Sequence, residues 1–284
     1  MKWSTRRTSR NVEDRRGQRM PGGSLGGVLG TVFIVLVAAY FGVDPRPFLQ
    51  LAEVAVPPTQ TGSELQVDPQ NDPLAEFVSV VLADTEITWQ QLFSERGMQY
   101  VEPRLVLFSG ATQSACGIGQ QAMGPFYCPR DQQVYIDLSF YRDLQERFSA
   151  PGDFAQAYVI AHEVGHHVQN LLGISRQVQE AQQRASASDA NALSVRLELQ
   201  ADCLAGVWAH QANRLRGVLE AGDVDEGLNA ASAIGDDRLQ RQTQGRVSPD
   251  SFTHGTSQQR VRWFKTGLDT GDLERCDTFA ANEL

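Results

Sequence analysis

The sequence predicts an α+β fold: a mostly helical domain with a small β-sheet, preceded by one transmembrane helix. Three observations predict it. An uncharged apolar run, Leu25 to Val43, is long enough to cross a bilayer as a helix. Two short β-rich runs, Arg104–Phe108 and Val134–Leu138, stand close together in the middle of the chain. From Phe154 onward, apolar residues recur at helical spacing with few breaks. A small sheet followed by a run of helices is the α+β pattern.

The order of elements follows from local signals. Residues 1–24 are basic, with Lys2, Arg6, Arg7, Arg10, Arg15, Arg16 and Arg19 against Glu13 and Asp14. Basic residues before the apolar run and Asp44 after it predict a cytoplasmic N-terminus, a single-pass helix over 25–43 and an extracytoplasmic remainder. A cleaved signal peptide is the other reading. Its apolar core would be shorter, about 7–15 residues, and no small-x-small cleavage site follows cleanly. Residues 44–71 hold Pro45, Pro47, Pro57, Pro58 and Pro69 and read as an extended linker. The domain is expected over 72–284.

Asp72 can cap a first helix with Pro73 in its opening turn, and Gly97 is a plausible stop. A Gly- and Cys-containing loop separates the two strand candidates. One helix is expected from Phe154 to Leu172, ended by Gly173, and another from Ile174 to about Ala185. The Ser186–Asp189 cluster breaks the pattern. A long helix then runs from about Ala190 to Leu215, stopped by Gly217. Asp223 can cap a helix reaching about Gln240. Thr256, with Gln259 three residues on, forms a capping box for a helix to Lys265, with Gly267 after it.

The protein has 284 residues and a net charge of −9, although its first twenty residues are basic. The body is therefore strongly acidic, which argues against nucleic acid as a partner. Four cysteines, Cys116, Cys128, Cys203 and Cys276, suit two disulfides in an oxidising compartment. Three pairings are open on sequence; Cys116–Cys128 around a Gly-rich loop and Cys203–Cys276 are favoured. Buried free thiols are the alternative.

His162-Glu163-Val164-Gly165-His166 spells H-E-x-x-H inside an apolar helical stretch. Positions i and i+4 share one helix face, so His162 and His166 can bind one zinc ion, with Glu163 as general base. A catalytic zinc needs a third protein ligand and an open position. Glu198, on the long apolar helix, is the best candidate, because an unpaired charge there would be costly. Asp202 lies one turn on and can accept the N–H of a ligating imidazole. Surface salt bridges to Arg196 or Arg214 are the alternative for both acids. His254 is the candidate for stabilising the oxyanion, with Tyr158 or Tyr135 behind it; a structural histidine near a helix start is the other reading. His167, rotated about 100° from His166, reads as a packing residue. The Val134–Leu138 strand is a candidate edge for pairing with an extended peptide.

His162 to Gln169 (H-E-V-G-H-H-V-Q), with Glu198 to Trp208 (E-L-Q-A-D-C-L-A-G-V-W), resembles the bacterial membrane-anchored family named putative neutral zinc metallopeptidases. The E-x-x-A-D element is also similar to the third-ligand helix of gluzincins. Gly124–Pro129, Val134–Asp137, Phe252–Ser257 and Cys276–Phe279 look like signatures of the same family. The resemblance implies a zincin-like domain with Zn2+ held by His162, His166 and Glu198 and with Glu163 as base. It implies a membrane-anchored endopeptidase acting on a peptide or protein outside the cytoplasm through a zinc-activated water. The competing reading is a non-proteolytic scaffold that keeps a structural zinc. A purely structural site would need the ligands but not Glu163.

Overall fold

The computed structural model describes residues 1–18, 72–121 and 124–284. Its first long helix, α1 (Pro73–Glu95), opens as the cap residues dictate: the Asp72 carboxylate accepts the backbone N–H groups of Leu74 and Ala75. A mixed sheet follows, built from β1 (Val12–Asp14), β2 (Arg104–Phe108), β5 (Phe126–Cys128) and β6 (Gln133–Asp137) in the spatial order β1-β2-β6-β5. The first three neighbours are parallel, and β5 runs antiparallel to β6. A separate hairpin joins β3 (Ala111–Ser114) to β4 (Gly117–Gln120). Cys116 and Cys128 are joined by a disulfide that ties this hairpin to β5.

Side chains alternate across the sheet, as the pleat requires. Leu105, Leu107, Val134 and Ile136 enter the main core with the helices. Val106, Phe108, Cys128 and Tyr135 form a smaller cluster on the opposite face. Burial on both faces explains why β2 reads as a continuous apolar run. The strand expected at an edge, over Val134–Leu138, is instead internal: β6 is flanked by β2 and β5. The edge on that side belongs to β5, which the sequence did not reveal.

The remaining helices are α2 (Ser139–Glu146), α3 (Asp153–Leu171), α4 (Ile174–Gln182), α5 (Ala187–Arg216), α6 (Asp223–Ala233), α7 (Asp236–Gln244) and α8 (Ser257–Thr270). The fold is thus mostly helical with small sheets, an α+β arrangement. Ser186, expected to break the helical pattern, caps α5 by accepting the N–H of Asp189. The helix expected from Asp223 to Gln240 is two helices broken at Gly235. That glycine is extended, and a Cβ there would lie 2.4 Å from the Ser257 nitrogen. Gly267 does not end α8, because it is a contact residue. A Cβ at Gly267 would fall 1.9 Å from the Cys203 carbonyl oxygen, and one at Gly206 would fall 2.1 Å from that of Phe264. The backbones of α5 and α8 therefore touch, and the Cys203–Cys276 disulfide secures the segment beyond α8 to α5.

Two expectations are corrected. Among the described residues no helix is long and apolar enough to cross a membrane. The expected span over 25–43 and the linker over 44–71 lie outside the described residues. The N-terminal residues are also not a separate cytoplasmic segment in this structure. β1 pairs with β2, Ser9 and Asn11 donate to the buried Glu86 carboxylate, and Arg16 bridges Asp14 and Asp72. A segment built into the same sheet cannot lie across a membrane from the domain it completes. The predicted topology, with the N-terminus inside and the domain outside, is not supported by the described residues.

Candidate metal centre

Helix α3 is buried along most of its length because both faces carry apolar residues. Tyr158, Ile160, Ala161, Val164 and Val168 are essentially inaccessible. His162 and Glu163 are buried with them, and His166 is half-buried. Polar groups in such a place need partners, and α5 supplies them. Its close approach is permitted at Gly165, where a Cβ would lie 3.0 Å from the Ala201 carbonyl oxygen.

Glu198 sits between the two imidazoles. His162 Nε2 is 3.2 Å from one of its oxygens and His166 Nε2 is 3.4 Å from the other. The donor atoms of all three residues lie within 4.8 Å of one another. Ligand atoms about 2.0–2.2 Å from a tetrahedral zinc stand roughly 3.3–3.6 Å apart, and both histidine-to-carboxylate distances are close to that spacing, so the donor set fits zinc. Two imidazoles and one carboxylate are also a known catalytic set, leaving a coordination position free.

Each histidine is oriented by its other nitrogen. Asp202 Oδ1 accepts from His162 Nδ1 at 2.8 Å, and Gln169 Oε1 faces His166 Nδ1 at 2.9 Å. Asp202 is fully buried and is itself saturated. Arg260 donates to both its oxygens at 2.8 Å, and the Tyr158 hydroxyl donates to Oδ1. Gln169 is fixed in turn by donating to the Leu197 carbonyl and to Gln200.

The electrostatics follow from this packing. Burial alone would lower the His162 pKa, but Asp202 and Glu198 outweigh it and raise it to about 10. His166 is shifted upward against burial by Glu198. Burial would raise the Glu198 carboxyl, yet the His166 and His162 rings hold it well below the ordinary carboxylate range. Asp202 is drawn down to about 2, against burial, by Arg260 and His162. Glu163 is pushed upward by burial, only partly offset by the two histidines. The same carboxylates that favour the imidazolium forms of His162 and His166 are the charges a bound cation would neutralise.

His254 lies at the same cleft with half of its side chain exposed. Its loop is gripped by Asp236, whose Oδ2 accepts the N–H groups of Thr253, His254 and Gly255. Asp236 Oδ1 is 3.3 Å from His254 Nδ1, and this interaction raises the His254 pKa. Tyr158, the alternative oxyanion donor, is committed to Asp202 in the interior, and Tyr135 bonds Asp131 on the far face of the sheet. His167 packs behind the site, donating to the Val101 carbonyl at 2.6 Å and accepting from Tyr127. His210 is 2.8 Å from the Leu268 carbonyl, between α5 and α8.

Sequence reasoning missed Arg260, Gln169 and Asp236. Gln169 was findable, since it stands three residues after His166 on an apolar helix. Arg260 carried a weaker signal, a charge flanked by Val261, Trp263 and Phe264. Asp236 carried none, because its helix boundary was not visible. Among the described residues one other carboxylate group, Asp153, Asp223 and Glu226, is close enough to hold a cation; there the Met1 ammonium bridges Asp153 and Asp223.

Comparison with known proteins gives the family of the chain. A model of the family described as putative neutral zinc metallopeptidase matches residues 1–279. The uncharacterized protein YpfJ of Escherichia coli K12 is 54% identical over 98% of the present sequence and 99% of its own length. The uncharacterized protein Rv2575 of Mycobacterium tuberculosis H37Rv is 47% identical over 65% of each sequence. No solved structure matches.

Proposed function

The chain belongs to the putative neutral zinc metallopeptidase family, and from that membership and the geometry around Glu198 we propose that it is a zinc-dependent endopeptidase. The observation that carries the reading is the convergence of His162, His166 and Glu198 with Glu163 on the wall of a cleft of about 860 Å³. A structural zinc site has no use for an additional buried carboxylate that faces the cleft and does not ligate.

His162, His166 and Glu198 would hold the ion, fixed in orientation by Asp202 and Gln169. When bound, zinc polarises a carbonyl and makes a nearby water acidic enough to attack near neutral pH. Glu163 takes the proton of that water and delivers it to the leaving nitrogen. Its upward shift suits both halves of the task, since it can accept a proton and give it back. His254, held by Asp236 at the cleft rim, donates to the developing oxyanion. The outer edge of β5 gives an extended peptide backbone somewhere to pair, because Phe126 and Tyr127 line the same cleft.

The test uses the purified full-length protein, metal analysis and an unstructured protein such as casein. Wild type should bind about one zinc and cleave. Glu163→Gln should keep the zinc and lose roughly 10²–10⁴-fold in rate. Zinc bound tightly with no turnover across a broad peptide library would overturn the peptidase reading in favour of a scaffold.

A further inference from the structure

The cleft has two chemically different ends. Helix α3 runs along its floor, with Val159 one turn before His162 and Asn170 one turn after His166. At about 1.5 Å per residue, Val159 to Asn170 covers roughly 16 Å, the reach of about five extended residues at ~3.3 Å each.

Near Val159 the lining is apolar. The rings of Phe140 and Phe148 lie 6.2 Å apart, with Ile234 lining the cleft alongside Val159. The charged groups at this end are all engaged: Arg147 pairs with Asp143 at 3.4 Å, Arg238 donates to the Phe148 carbonyl, and Arg260, bound to Asp202, donates to the Ile234 carbonyl. Near Asn170 the lining is polar and cationic. Asn170 donates to the Pro129 carbonyl at 3.5 Å, so Arg130 stands beside it, and Arg176 follows on α4. The Arg176 guanidinium is largely exposed and makes a long i,i+4 ion pair of 4.0 Å with the exposed Glu180. Among the described residues the acids lining the cleft are Asp143, Glu163 and Glu198, and none belongs to this end. In a protein of net charge −9, Arg176 and Arg130, the latter donating to the Ala115 carbonyl at 3.4 Å, give this end two cationic groups.

The direction of a bound peptide follows from β5. This strand follows Gly124, which abuts Phe140, and leads into Pro129, beside Asn170. An added strand pairs more stably in the antiparallel sense, which places its N-terminal half beside Arg130 and Arg176. We infer that the site selects peptides with an acidic residue on the N-terminal side of the cut and a large apolar residue on the C-terminal side. This rests on the peptidase reading above.

Two readouts separate the ideas. The first is equilibrium binding of fluorescent octapeptides to the zinc-loaded, full-length Glu163→Gln variant. A peptide ordered Glu then Phe should bind about tenfold tighter than its Lys-for-Glu counterpart, and tighter than the reversed order. Arg130→Glu combined with Arg176→Glu should invert the charge preference. Phe148→Ala should weaken the preference for Phe and leave the charge preference alone. The second readout maps wild-type cleavage sites in a peptide library by mass spectrometry. A wild type that cleaves nothing counts against the peptidase reading, while the binding series still decides selectivity. Equal binding of Glu and Lys peptides, the reversed order, or charge-reversed variants that leave the preference unchanged would overturn the inference.

Discussion

Asp202 Oδ1 lies 2.8 Å from His162 Nδ1, and the same carboxylate takes two hydrogen bonds from the buried Arg260. One acid thus fixes the tautomer of His162 and neutralises an interior guanidinium. Removing it breaks both. Asp202→Asn should lower zinc affinity by about 10–100-fold, because outer partners of metal-bound histidines contribute on that scale. It should also destabilise the fold by roughly 3–5 kcal/mol, since Arg260 is left buried without its countercharge. Chelator competition and thermal unfolding measure the two effects separately. Unchanged affinity in a folded variant would refute the coupling.

Zinc binding should release protons. His162 is raised to about 10 in the metal-free protein, and His166 is raised as well, because Asp202 and Glu198 stabilise the imidazolium forms. Both rings must be deprotonated to ligate. The metal-free state therefore carries protons that the bound state lacks, and affinity must rise with pH through neutrality up to about 10. Calorimetry in buffers of different ionisation enthalpy should detect the released protons near pH ~7. An affinity independent of pH between about 6 and about 9, with no buffer dependence, would contradict the assignment.

How much of this was legible in the sequence depended on whether a residue's role was local. The spacing of His162 and His166 is a property of one helix, and the cap at Asp72 and the box at Thr256 are properties of a few neighbours. Glu198 and Asp202 could be read because two charges stood in an apolar helix and had to be satisfied somewhere. Arg260, Asp236 and β1 could not. Their partners lie in distant segments, and β1 is a three-residue strand whose charged sequence, Val12-Glu13-Asp14, has no β signature of its own. Its place depends on β2 offering a free edge. The apolar run over 25–43 pulled the reading of the N-terminus toward a membrane topology that the pairing of β1 with β2 does not support.

A series of hydrogen bonds links His166 to the C-terminal disulfide. Gln169 faces His166, Gln200 accepts from Gln169, and Gln200 donates to the Cys276 carbonyl at 3.0 Å. Cys276 is held in place by Cys203. Gln169→Leu should weaken zinc binding about tenfold by freeing the His166 ring. Cys203→Ser with Cys276→Ser should have a smaller effect in the same direction, together with a lowered Tm. If the disulfide variant loses stability but keeps wild-type zinc affinity, the series is structural and does not reach the metal.

The N-terminal segment should be required for stability. Deleting residues 1–18 removes β1 and strips Ser9 and Asn11 from Glu86, a buried acid whose other oxygen already lacks a partner among the described residues. An unsatisfied buried group costs about 1–3 kcal/mol, which corresponds to a fall in Tm of roughly 2–12 °C for a domain of this size. The cost should also depend on pH. Burial pushes Asp14 and Asp72 upward, but Arg16 outweighs it and holds both carboxyls below their ordinary range. Groups with depressed folded values stabilise the protein above their unfolded value of about 3.9 and lose that contribution as pH falls through the folded values. The deletion removes Arg16 and so abolishes this contribution. The Tm difference between the full-length protein and the deletion should therefore be largest near neutrality and shrink in acid below pH about 4. Thermal melts of both proteins from about pH 3 to about pH 7 decide the point. A constant difference would mean that β1 pairing alone holds the segment, with the Arg16 network contributing nothing.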